Sequence, residues 1–456
     1  MAIVARTLAG IKSDPLLLIG GADRINTLFT QAEHVWRDRL LDPATILKLF
    51  ILQVLHGNTA ITHLRHLCQT AVCPSSYCDA RARLPLLAMA SVIETLCRDC
   101  IECTRSTAAT WLGRRVLIAD ATNCSTPDTP AMQRLWPQPD AQHPGIGFPM
   151  IKLLALVDLA TGLIVQLSMF CLNVHEMSQA AAMSSMLRPG DVLLGDRGFC
   201  SFAHLAMLAL KKLDAVLRVH QKHLVDFTPN RAHQRRGKKR KRGMPTSRFV
   251  RRLGADDQLV EWVKPPKPPV WMTQQQYDDL PATMSLRELR YCITVPGRRT
   301  RVVTIVTTLL DPMRFPKRQI AQLYGQRWEI ETNFRHLKQT MKMDQLKCKT
   351  PDGVMKELLV FTLVYNLVRT AMCAAAGNVV DPNRVSFIDA ARWLMSVNAV
   401  KSAPGDGCLR TDLIINPPRP GRWNPRVLKR RIKPYDLMTK RRSQYMQPTA
   451  NTEDMH

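Results

Sequence analysis

Tyr324, Arg327, Glu331 and Lys338 recur along one stretch of the chain. At 100° per residue they share an arc of about 60° on a helix. Leu323, Ile330, Phe334 and Leu337 form an apolar stripe beside them. One carboxylate among two cations and a phenol, at the rim of a packed helix, suits a phosphate and a metal ion held together. Two aspartates extend the set. Asp120 closes the apolar run 116–119 and Asp196 closes the run 192–195. Both are therefore expected at or just past the C-terminal end of a strand, where ligand sites of open sheets collect. Asp120, Asp196 and Glu331 would offer hard oxygen ligands to divalent ions. Two such ions about 4 Å apart support phosphodiester cleavage by activating one oxygen and stabilising another. Arg holds phosphate by a planar fork, Lys as a point charge. Two plainer readings compete: a ladder of ion pairs on a solvated helix face, and aspartates that merely begin turns.

The elements that must position these residues can be read from pattern. Region 1–110 reads as helical. Asp42 and Pro43 start one helix as cap and first residue, with an apolar face of Ile46, Leu49, Phe50, Leu52 and Leu55. Further helices are expected over 60–69 and 84–103. Ahead of a basic chain, this region either binds DNA or supports the core that begins after it. From 111 to 378 strands and helices mix, which implies an α/β layered core. The runs 150–156 and 162–167 flank a turn and make a hairpin. Ser201 caps a helix to about 213, and 215–219 reads as a strand. Segment 220–301 is an insertion, partly β at 258–263 and 289–294. Within it, eleven of the 22 residues from Arg231 to Arg252 are Lys or Arg, read as a basic loop that contacts phosphates. Neutralising 238–242 is expected to weaken DNA binding at every sequence and flatten its salt dependence. A strand over 301–310 returns the chain to the sheet. One long helix is expected over 317–341, and a buried one over 353–375. Region 379–456 is a basic, Pro-rich C-terminal part.

Composition narrows the function. The chain has 456 residues with 64 Lys and Arg against 37 Asp and Glu, a net charge of +27, and 46% of its residues are apolar. It can bury a core, and it lacks the repeats of collagen or coiled coils. Such charge calls for a polyanion, first of all nucleic acid; an anionic membrane surface is the rival. The longest apolar candidate, 358–368, is too short to cross a bilayer, so no membrane partner is expected. Residues 1–20 carry Arg6, Lys12 and Asp14 rather than a secretory leader. The 13 cysteines are accordingly read as reduced thiols of the cytoplasm. Cys97, Cys100 and Cys103 are spaced for zinc, but no further pair completes four ligands. On a helix they simply place small apolar groups on one side.

Tyr324-x2-Arg327-x3-Glu331-x6-Lys338 resembles the YREK signature of DDE transposases of bacterial insertion sequences, in the insertion sequence 4 family. The surroundings of Asp120 (118–122) and Asp196 (195–199) resemble that family's first and second aspartate motifs. The long gap before Glu331, the segment 75–81 and the basic run 424–433 are also similar, so the likeness covers most of the chain. It implies an RNase H-like fold with Asp120, Asp196 and Glu331 as catalytic, metal-binding triad. Tyr324, Arg327 and Lys338 would contact backbone phosphates near the transposon end. It further implies two Mg2+ ions, with Mn2+ as substitute, and cleavage at the element's ends. The freed 3′-hydroxyl would then join to target DNA. A homodimer on paired double-stranded ends and a nucleoid location come with the resemblance. Some members cut through a hairpin, with an aromatic residue stacked on a flipped base. The strand before the helix has no aromatic there; Trp262, Trp271 and Tyr291 are nearby in sequence and are read as packing residues. A non-catalytic DNA-binding protein, and a nuclease of the same fold without strand transfer, remain as alternatives.

Overall fold

The computed structural model describes residues 14–37, 39–68, 72–105, 110–233, 244–293, 301–377, 380–395, 413–417 and 435–445. Four helices lead: α1 (Gly21–Gln31), α2 (Pro43–Leu55), α3 (Pro74–Arg83) and α4 (Leu86–Arg105). Asp42 caps α2 as its sequence foretells, its carboxylate accepting from the Thr45 N–H at 2.8 Å. The helix is buried nearly all round rather than on one face. Of the stretch 60–69, the described residues 60–68 form short turns, Ile61–His63 and Leu64–Leu67, and α3 begins after them with Pro74 at its first position.

Among the described residues the strands join one sheet: β1 (Val116–Ser125), β2 (Met150–Asp158), β3 (Ile164–Cys171), β4 (Val192–Gly195), β5 (Asp214–Arg218), β6 (Thr246–Gly254), β7 (Asp257–Val263), β8 (Thr283–Ile293) and β9 (Arg301–Thr307). Their spatial order is β3-β2-β1-β4-β5-β9-β8-β7-β6. β1 to β3 form an antiparallel meander, and β4 and β5 add in parallel beside β1. That 3-2-1-4-5 arrangement is the RNase H-like core. The inserted strands do not build a separate layer. β9 pairs antiparallel with β5, and β8, β7 and β6 continue the same sheet outward.

The basic stretch 231–252 is not all loop. Its last part is strand β6, with Ser247 buried and Arg248, Arg251 and Arg252 exposed. Three exposed arginines hide the alternation that marks a strand. The run 238–242 lies outside the described residues.

Side chains alternate across the sheet. Val116 and Ile118 of β1 join the core shared with α2, α4 and the helix α9 (Pro351–Ala376). Leu117 and Ala119 face the opposite core, covered by α5 (Glu176–Met183) and α6 (Phe202–Leu210), the latter capped by Ser201. α9 is much longer than the run 358–368. By length and composition it passes as a membrane span, yet 78% of its most apolar window is buried within the fold. Asn366 of α9 exchanges two 2.9 Å hydrogen bonds with the backbone of Ile164. Arg369 donates to the Thr161 carbonyl at 2.9 and 2.6 Å. The next residue, Gly162, has φ +71°, and a Cβ there would lie 2.1 Å from the Arg369 guanidinium. Gly162→Ala therefore combines left-handed strain with a clash against a buried cation. It is expected to cost about 2 kcal/mol or more, read as a lower denaturant midpoint.

The helix over 317–341 is not one regular helix. α7 (Lys317–Gly325) passes through a 3-10 turn, Gln326–Trp328, into α8 (Glu329–Arg335), which ends in a π turn, His336–Thr340. The foreseen stripe of Leu323, Ile330, Phe334 and Leu337 is buried. The described fold closes with α10 (Phe387–Met395) and with pieces of the C-terminal region.

Candidate active site

Asp120 does not end its strand. It sits in the middle of β1, opposite Ala155 of β2. What ends there is the neighbour: the parallel ladder with β4 stops at the pair Ala119 and Gly195. Asp196 is the first residue beyond β4, so the two aspartates emerge side by side where the sheet splits. That split is the kind of strand-end crevice in which open sheets place their ligands.

The helix brings the remainder across. An Arg327 Nη1 lies 3.5 Å from Asp120 Oδ2, and its Nη2 lies 3.7 Å from Glu331 Oε1. Its side chain is only 7% exposed, whereas that of Glu331 is 49% exposed. The guanidinium sits over the Trp328 ring at 5.2 Å and the Tyr324 ring at 6.0 Å. Lys338, on the π turn, donates to Thr122 Oγ1 of β1 at 3.0 Å. π turns often occur at functional positions. Asn123, the next residue of β1, donates to the Tyr435 hydroxyl at 2.9 Å. Arg442 pairs with Asp128 at 2.8 Å. The described end of the C-terminal region is thereby fastened beside the site.

The electrostatics agree with the distances. Burial raises the Asp120 carboxyl to about 6; the backbone N–H of Ala121 and Arg327 pull it down, while Asp196 and Glu331 push it up. Asp120 Oδ1 accepts from Ala121 N at 2.9 Å. Asp196 Oδ1 and the Tyr324 hydroxyl are buried without a hydrogen-bond partner. Burial drives the Tyr324 hydroxyl far above its ordinary range, Arg327 opposing and Asp196 adding to the shift. Hard carboxylate oxygens, one of them orphaned, are donors of the type a divalent ion takes. Among the described residues no three His, Cys, Asp or Glu side chains are grouped as ligands of one ion. Arg327 reaches the two carboxylates it touches, Asp120 and Glu331.

The structure thus assembles Asp120, Asp196, Tyr324, Arg327 and Glu331, with Lys338 reaching Thr122 further along β1. Of the aromatics named from sequence, Trp262 is 1% exposed and donates to Glu288 at 2.9 Å. Trp271 and Tyr291 pack against the cores. Sequence reasoning passed over Trp328, an aromatic 45% exposed beside Arg327. Its signal was an aromatic about 40° beyond Tyr324, at the edge of the polar stripe. Thr122 was also missed as the partner of Lys338. A cavity of about 560 Å³ lies elsewhere, lined by Trp111, Asp158, Glu329 and Asp381 but by none of the carboxylates of the site.

A sheet of this order, with acidic residues where β4 ends and on the helical segment beyond it, is an RNase H-like fold. A family model described as Transposase DDE domain matches residues 111–367, more than half of the chain, and the chain belongs to that family. It is 27% identical over 386 residues to the transposase InsG for insertion sequence element IS4 of Escherichia coli (strain K12), covering 81% of this chain and 79% of that protein. The protein is a transposase of the DDE type, an enzyme that acts on DNA.

Proposed function

We propose that Asp120, Asp196 and Glu331 are the catalytic carboxylates and hold two Mg2+ ions, for which Mn2+ can substitute. When bound, such a pair supplies Lewis-acid stabilisation of the oxygens that attack and leave phosphorus. The observation that carries this reading is the meeting of β1, the end of β4 and the helix at one crevice, with Arg327 spanning two of the carboxylates. Arg327 and Lys338 hold backbone phosphates flanking the scissile bond, and Tyr324 offers its hydroxyl beside them. Water hydrolyses the phosphodiester at the end of the element and leaves a 3′-hydroxyl. That oxygen then bonds to a target phosphorus, and the target strand's own 3′-oxygen leaves. Asp120, Asp196 and Glu331 remain fixed by the sheet and helix through both steps, so one geometry serves two substitutions. The partners are double-stranded transposon ends and target DNA, engaged by a homodimer on paired ends in the bacterial cytoplasm. The charge of +27 suits this polyanion.

Two experiments test the reading. Lys338→Ala is expected to weaken binding to all duplexes alike and to reduce the slope of log K against log salt by about 1. An unchanged slope would remove Lys338 from the phosphate contacts. Incubation of a pre-cut element end with plasmid and Mg2+ is expected to give joined product. Nicked plasmid without joined product would instead favour a nuclease.

A further inference from the structure

Arg327 gives the carboxylates a cation of the chain's own. It lies 3.5 Å from Asp120 and 3.7 Å from Glu331, on a side chain almost wholly out of solvent. Without it, Asp120 would lose the cation that offsets the like charges of Asp196 and Glu331. A divalent ion would need the same carboxylate oxygens and would be repelled by the guanidinium. A DNA phosphate offers that guanidinium another planar, bidentate partner.

We propose that Arg327 is the resident counter-ion of the metal-free site, and that it releases Asp120 and Glu331 to a divalent ion by transferring to a DNA phosphate. The proposal rests on the assignment of Asp120, Asp196 and Glu331 as the metal-holding set. It makes metal and DNA binding reciprocal, each raising the affinity for the other by the same factor. The enzyme away from DNA then holds its metal weakly, which suppresses cleavage outside the paired complex.

The test measures Mn2+ binding to the full-length, DNA-free protein by the electron paramagnetic resonance signal of free Mn2+. Wild type, Arg327→Met and Arg327→Gln are compared, each with and without Asp120→Asn. Circular dichroism verifies folding, and the Gln variant carries the comparison if the Met variant does not fold. Both Arg327 variants are expected to bind Mn2+ at least about tenfold more tightly than wild type, a gain that Asp120→Asn removes. Equal or weaker binding by both variants, with Asp120→Asn still lowering affinity, would overturn the counter-ion role and leave the metal site standing. Binding insensitive to Asp120→Asn in every background would overturn the metal-site assignment, and the proposal with it.

Discussion

Asp120→Asn is expected to slow cleavage at the element's end by about a thousandfold or more, the order lost when preorganised charge is removed from a reacting centre. The substitution is nearly isosteric and leaves Oδ1 to accept from Ala121 N, so β1 keeps its pairing with β2. What disappears is the charge facing Asp196, Glu331 and Arg327. Duplex binding is expected to stay within about twofold of wild type, because phosphate contacts come from the cations. Gel shift and a cleavage time course on the same preparation separate these quantities. Cleavage within about tenfold of wild type would mean that Asp120 is not among the reacting charges.

Arg287→Met is expected to cost about 3–5 kcal/mol of stability, the range for breaking a buried ion pair. Arg287 is fully buried in β8 and grips Asp257 of β7 through two hydrogen bonds of 2.8 and 2.6 Å. Its remaining nitrogen, Nη1, donates to the Phe315 carbonyl at 2.7 Å, immediately before α7, which leads into the turn of Arg327 and the α8 of Glu331. The variant strands Asp257 as a buried charge and frees the start of α7. Hydrogen exchange is expected to quicken in β7, β8 and α7 together, with a lower denaturant midpoint. Adding Asp257→Leu should recover most of the loss, since an apolar pair replaces a buried ionic one at little cost. Unchanged exchange in α7 would show that the insertion does not brace the catalytic helix.

Much of this arrangement was legible in the residues. The apolar runs before Asp120 and Asp196 marked strands because buried parallel strands carry little polar alternation. The caps Asp42 and Ser201 fixed helix starts, since short polar side chains satisfy the first free N–H groups. The position of Asp120 within its strand was not legible. Residues 121–125 are mostly polar, and they stay in the strand only because β2 continues to pair with them through Ser125 and Met150. Strand β6 was hidden for a related reason: its arginines face solvent, so charge masks period two. The 3-10 and π turns along the helix were equally hidden, because a periodicity of 3.6 registers the apolar stripe and averages over local winding.

The most direct test of the central claim places the purified protein on duplexes carrying the element's own end, with and without Mg2+, beside Glu331→Gln. The expected result is cleavage at the end that leaves a 3′-hydroxyl, requires Mg2+ and vanishes in the variant while binding persists. Cutting by Glu331→Gln at the wild-type rate, or cutting by wild type in the presence of a chelator, would contradict it.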